Sequence, residues 1–300
     1  MMAGCGGKDA GPECILSGGD VLGEVPVWDA DGNRVWWLDV SRARLQSFDL
    51  ATGRHEVRQF PSRTAGGWAL RRTGGAVVAL DDGLHGVSSG AVGRLIANVP
   101  PPDMQLSHRV NEAGVDCQGR LWLGVMDRTG RDSSGGLFRI DADGSVSRIL
   151  EGITTPNGLC FDPSDTVMYF SDSALKVIWA FDFDAQEGVL TRRRVFCDLT
   201  AHPGMPDGAA VDIEGFLWVA CFGGGRIIRL DPRGRVNRAI SLPVTKVTSL
   251  TFGGPALRTL FITTASGKLT ARQLADQPLA GGLFAMDVDV AGLPRPKFAG

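Results

Sequence analysis

Along this chain, apolar and polar residues alternate in short runs, each closed by a turn rich in Gly or Asp. Alternation of this kind over roughly four to eight residues is the pattern of a half-buried β-strand. One cassette recurs: an apolar stretch, an acidic residue, a turn, then a hydrophobic strand. It reads VPVWDADGNRVWWLD (25–39), AGVDCQGRLWLG (113–124), GLCFDPSDTVMYFSD (158–172) and GAAVDIEGFLWVAC (208–221), with weaker copies at 67–80 and 249–264. A second cassette trails each first one, as in RLQSFDLATGR (44–54), GLFRIDADGSV (136–146) and RIIRLDPRGRV (226–236), with a degraded copy at 83–93. A period of roughly 40–50 residues carrying four strands per unit is the signature of a β-propeller. The prediction is an all-β, six-bladed propeller with four-stranded antiparallel blades, forming one domain over 14–300 after a flexible segment at 1–13. CILSGG (14–19) is expected to supply the strand that closes the ring against the last blade, and KLTARQLADQ (268–277) a short surface helix.

Aligning the six first cassettes on their turns isolates one column, five residues before the turn position. It contains Glu24, Gly66, Asn111, Asn157, Asp207 and Thr248, at steps of 42, 45, 46, 50 and 41 residues. The first strand of each propeller blade lines the central channel, so these positions converge at one end of it. Glu24, Asn111, Asn157 and Asp207 carry the side-chain oxygens that hard cations prefer. Two carboxylates roughly 5 Å apart repel by about 3 kcal/mol at an effective dielectric near 20, which a divalent cation would relieve. Taken singly, Asn157-Gly158 and Asp207-Gly208 read as turn formers. The later ADGN, CQGR and IEGF segments already account for each cassette's turn, however, so the Asx-Gly pairs fall at the head of a strand and favour the channel reading.

Composition narrows the classes. A net charge of −2 with interspersed signs gives no basis for nucleic-acid binding. No apolar run approaches the roughly 18 residues of a membrane span, and MMAGCGGKDAGPEC (1–14) lacks the apolar core of a signal peptide. The six cysteines form no C-x-x-C pair, and a reducing, cytoplasmic setting is expected. CFGGGRI (221–227) precedes a strand rather than a helix, which argues against a phosphate loop. His108 and His202 are expected at the surface, the tryptophans at 36, 37, 122, 179 and 218 in the core, and Trp68 as a pocket wall.

LGEVPVWD, RVNEAGVDCQGRLWLGVMD, PNGLCFDPSDTVMYFSDS, PDGAAVDIEGFLWVACFGGGRIIRLDPRG and SLTFGGPALRTLFITTA together resemble the senescence-marker-protein/gluconolactonase/regucalcin family from about residue 15 to 292. The resemblance implies a six-bladed propeller that binds one divalent ion (calcium, zinc, manganese, magnesium or iron) and hydrolyses a small sugar lactone. It makes Glu24, Asn157 and Asp207 the metal ligands and Asp207 the general base, with Arg109 and Asn111 holding the substrate's oxygens. Val25 stands where the family commonly has Gly, and Glu112 where it has Asp. Alternatives carried with this reading are an aryl-ester or organophosphate hydrolase, a calcium-binding regulator without turnover, and a propeller serving only as an interaction scaffold.

Overall fold

At Asp116, Asp162 and Asp212 the acidic residue of the cassette sets the turn it precedes. Asp116 Oδ1 accepts from the amides of Gln118 and Arg120, both at 3.0 Å, while its Oδ2 accepts from Trp122 Nε1 at 2.9 Å. Asp212 repeats the arrangement with the amides of Glu214 and Phe216 and with Trp218 Nε1 at 2.8 Å. A single buried carboxylate thus closes the turn and anchors the large side chain of the next strand, which is why the cassette needs an acid there. In the first blade Trp37 Nε1 donates instead to Asp20, at 2.7 Å.

The computed structural model describes residues 11–88 and 91–300. These form six four-stranded antiparallel sheets, the blades of a propeller, with strands in sequence order from the axis outward. Blades one to five span 23–59, 67–97, 108–153, 156–198 and 205–241. The sixth takes its three inner strands from 247–287 and its outermost from Glu13–Leu16, which pairs antiparallel with Leu283–Asp287. The expected ring closure is therefore present. Residues 1–10 of the predicted flexible segment lie outside the described residues. The innermost strands are Gly23–Asp29, Gly67–Leu70, His108–Val115, Pro156–Phe161, Met205–Val211 and Val247–Gly253, each packed against the next around the ring. The predicted helix is Ala271–Asp276, held by a capping box between Thr270 and Gln273. No helix among the described residues is long and apolar enough to cross a membrane.

The core fills the spaces between blades. Trp37, Trp122 and Trp218 are fully buried, and Trp179 nearly so. Trp36 departs from expectation: it is half-buried, with the Arg34 and Arg58 guanidiniums 5.9 and 5.3 Å from its ring. The C-terminal segment crosses one face of the ring as a strap. Ile213 and Leu257 hold its start through Ala291 and Gly292, and Leu70, Arg72 and Gly119 hold its end through Phe298 and Ala299. Phe298 is fully buried in the core between blades.

Asp212 also takes two donors from Arg229, at 2.9 and 2.7 Å. Asp212→Ala would strand a guanidinium, an indole N–H and two turn amides, and is expected to lower stability by about 3–5 kcal/mol. Glu214→Ala, which removes the exposed partner of the same arginine, should cost less than about 1 kcal/mol. Urea unfolding of the two variants checks the contrast.

Candidate functional site

The column converges because the inner strands share a defect at their heads. Pairing slips between Glu24 and Val27, between Val110 and Glu112, between Asn157 and Cys160, between Pro206 and Ala209, and between Val247 and Ser249. A bulge places extra residues on one strand and re-aims a side chain. Here it falls on or directly beside every column residue except Gly66. That accounts for the Asx-Gly pairs: Asn157-Gly158 and Asp207-Gly208 are bulges rather than hairpin turns.

Each seam between neighbouring blades is closed at this level. Trp68 Nε1 donates to the Val25 carbonyl at 2.8 Å, and Thr248 Oγ1 to the Gly23 carbonyl at 2.5 Å. Asn111 Nδ2 donates to the Pro156 carbonyl and to Asn157 Oδ1, at 3.0 and 3.1 Å, and Ser173 Oγ to the Pro206 carbonyl at 2.5 Å. At the other two seams a glycine lies hard against the next blade: a Cβ on Gly66 would lie 1.8 Å from the Val110 carbonyl oxygen, and one on Gly208 2.0 Å from Ser249 Oγ. Gly66 thus occupies its place in the column for close approach, not for chemistry.

Glu24, Asn111, Asn157 and Asp207 are all buried. Asn157 Nδ2 donates to Ser173 Oγ at 2.8 Å, which fixes the amide so that its oxygen faces Asn111. Ser173 is a positioning residue that sequence reasoning passed over; its only signal was the SDS ending of the fourth blade's motif. Burial raises the Glu24 carboxyl well above the usual range, and the charges of Asp207 and Glu112 raise it further. Asp207 is raised by burial and by Glu112, against the pull of Arg109. Arg109 is half-buried, bonded through Nη1 to the Val110 carbonyl at 3.0 Å, and burial lowers its pKa to about 10. The amides of Ala113 and Leu159 claim the oxygens of Glu112, at 2.8 and 3.4 Å.

The donor set suits a hard cation. Two buried carboxyls come from different blades, the charge of Asp207 raising Glu24, and among the described residues the Glu24 carboxylate accepts a hydrogen bond only from the Val25 amide, at 3.3 Å. A neutral amide oxygen lies alongside. Among the described residues no three His, Cys, Asp or Glu side chains gather at ligand range, so any third ligand would be the amide. His108, expected at the surface, is buried with its ring nitrogens 2.8 Å from Ser107 and Ser134 hydroxyls, while His202 is half-buried. Trp68 is buried and lines the opposite end of the channel rather than this one.

Residues 22–266 match the model of the SMP-30/Gluconolactonase/LRE-like region. The chain is 37% identical over 292 residues to a 6-deoxy-6-sulfogluconolactonase of Pseudomonas putida, covering 96% of this chain and 98% of that one. It is 33% identical to a pentonolactonase of Haloferax volcanii, covering 92% and 94%. Among solved structures, a calcium-binding regucalcin of Agrobacterium tumefaciens superposes with a TM-score of 0.91 at 28% identity, covering 97% of each chain. The chain belongs to the SMP-30/gluconolactonase/LRE-like family.

Two outcomes test this geometry. Val25 sits at φ 47°, close to the 57° of Gly158 at the equivalent bulge, so it keeps the glycine backbone against a penalty of roughly 1–2 kcal/mol. Val25→Gly is therefore expected to be at least as stable as Val25→Ala in urea unfolding, although Ala is ordinarily the milder change. Second, burial pushes Asp20 up to about 6, and Glu24, Glu112 and Asp207 are raised as well. Each holds a proton in the folded chain that the unfolded chain releases near pH 4, so stability falls as pH rises through that interval. His55, lowered by burial, opposes this as a single group. Chelator-treated protein should show a lower urea midpoint at pH 7 than at pH 5; a higher one would refute the burial of these carboxylates as acids.

Proposed function

We propose that this member of the SMP-30/gluconolactonase/LRE-like family is a metal-dependent lactonase that opens a small sugar-derived lactone to its acid at the Glu24–Asp207 end of the channel. The observation that carries the reading is the pair of buried carboxyls from blades one and five, both raised by burial, beside an amide oxygen oriented by Ser173. Glu24, Asn157 and Asp207 would hold one divalent ion, the class named for the calcium-binding regucalcin. Bound there, the ion would neutralise the pair and polarise a lactone carbonyl.

The chain's own residues do the rest. Asp207 has the raised basicity that burial confers, so it is suited to take a proton from the attacking water. Arg109 stays charged at neutral pH, with its pKa near 10, and can donate charge-assisted hydrogen bonds to the sugar's oxygens at the rim. Asn111 already spends its amide protons on Pro156 and Asn157. It therefore positions Asn157, and would contribute its oxygen to a substrate hydroxyl. The substrate class follows the lactonases named among the relatives.

The test is pH-stat hydrolysis of glucono- and pentonolactones by chelator-stripped protein, with and without added Ca²⁺, Mg²⁺, Mn²⁺ or Zn²⁺, after subtraction of spontaneous ring opening. Turnover is expected only with metal, and Asp207→Ala should lose at least about a hundredfold. Stoichiometric metal binding without turnover of any lactone would replace this reading with a non-catalytic calcium-binding propeller. Turnover confined to aryl or phosphate esters would move the chemistry to that class.

A further inference from the structure

The inner strands lead from the carboxylate end to a second mouth on the opposite face, under the C-terminal strap. There a cavity of about 250 Å³ opens, with Trp68, Val115, Leu159, Phe161 and Phe252 in its walls and residues 293–296 completing it. Hydrogen bonds on both sides pin the strap, through Gly292 to Leu257 and through Phe298 to Leu70. Pro294 and Pro296 stiffen the stretch between. Arg295, between these prolines, is half-buried and lines the cavity.

Among the described residues, no hydrogen bond or ion pair reaches the Arg295 guanidinium. The charge of Glu112 acts on it, but backbone amides already claim that carboxylate. The other acids lining the cavity are also engaged: Asp162 accepts from the amides of Ser164, Thr166 and Val167, and Asp165 interacts with the Cys117 thiol. The result is a planar fork of donors facing a mainly apolar cavity. A carboxylate matches such a fork with two parallel hydrogen bonds.

We propose that this far mouth is a second binding site, for a small monocarboxylate with an apolar body. The carboxylate seats on Arg295 and the body fills the cavity. An apolar cavity of about 150 Å³ suffices for benzene, so this one accommodates a ligand the size of phenylacetate. A polyhydroxylated sugar acid fits poorly, because hydroxyls left unpaired against these walls lose their hydrogen bonds to water without replacement. The site is separate from the one proposed for the lactone and does not depend on it.

Isothermal titration of the full chain with phenylacetate tests the proposal. Saturable one-to-one binding is expected, with phenylacetamide and the Arg295→Gln variant each weakened at least about tenfold. Arg295→Lys should be intermediate, and Arg109→Gln should bind as the parent does. If Arg295→Gln fails to fold, Val115→Phe, which removes cavity volume and keeps the guanidinium, should weaken binding instead. Equal affinity for acid and amide would overturn the proposal. So would a loss in Arg109→Gln rather than Arg295→Gln, or no saturable binding up to about 10 mM.

Discussion

Six strand heads must meet around one axis, close enough to seal the seams between blades, while several still turn a polar side chain into the channel. The bulge reconciles the two demands. It shifts pairing at the column position, so the strand below can keep its apolar alternation against the neighbouring blade. The seams then close by whatever each blade's sequence allows: an indole, a hydroxyl, an amide, or the close approach of a glycine at Gly66 and Gly208. The local backbone at Val25, the orientation of Asn157 and the meeting of Glu24 with Asp207 all follow from this ring.

The ring also explains how the chain carries carboxylates it would otherwise have to separate. Glu24, Glu112 and Asp207 are buried together, and burial favours their protonated forms. Rigid strands from three blades prevent them from relaxing apart. Glu112 is relieved by backbone amides, leaving Glu24 and Asp207 as the pair whose charge is met chiefly by Arg109 at the rim. The two ends of the channel thus differ in chemistry: one gathers buried carboxyls and amide oxygens, and the other is mainly apolar, with the Arg295 guanidinium held over it by the strap.

Val25 shows the strength of the constraint. A β-branched residue at positive φ is an outlier, yet Glu24 pairs with Leu38 as Asn157 pairs with Ser171. The departure from glycine neither moves the strand head nor opens the bulge. The surrounding contacts, the Trp68 hydrogen bond among them, hold the backbone in place and leave the strain in the side chain's position.

By itself the sequence determined the propeller, the number of blades, the closing strand and the column, because each is a matter of periodicity: a strand alternates every two residues and a blade recurs every four strands. It also marked Glu24, Asn157 and Asp207 as neighbours, since equivalent positions of a ring must converge. Only the tertiary structure decided what joins blades at single atoms. Ser173 orients Asn157 from the turn that follows the adjacent strand, and Gly66 is required by the Val110 carbonyl of the next blade. His108 is buried between two serines, Trp36 lies half-exposed under two arginines, and Arg295 arrives from the far end of the chain. No repeat encodes such contacts, because they unite residues that occupy different places in the period, and distance along the chain says nothing of which side chains a closed ring brings face to face.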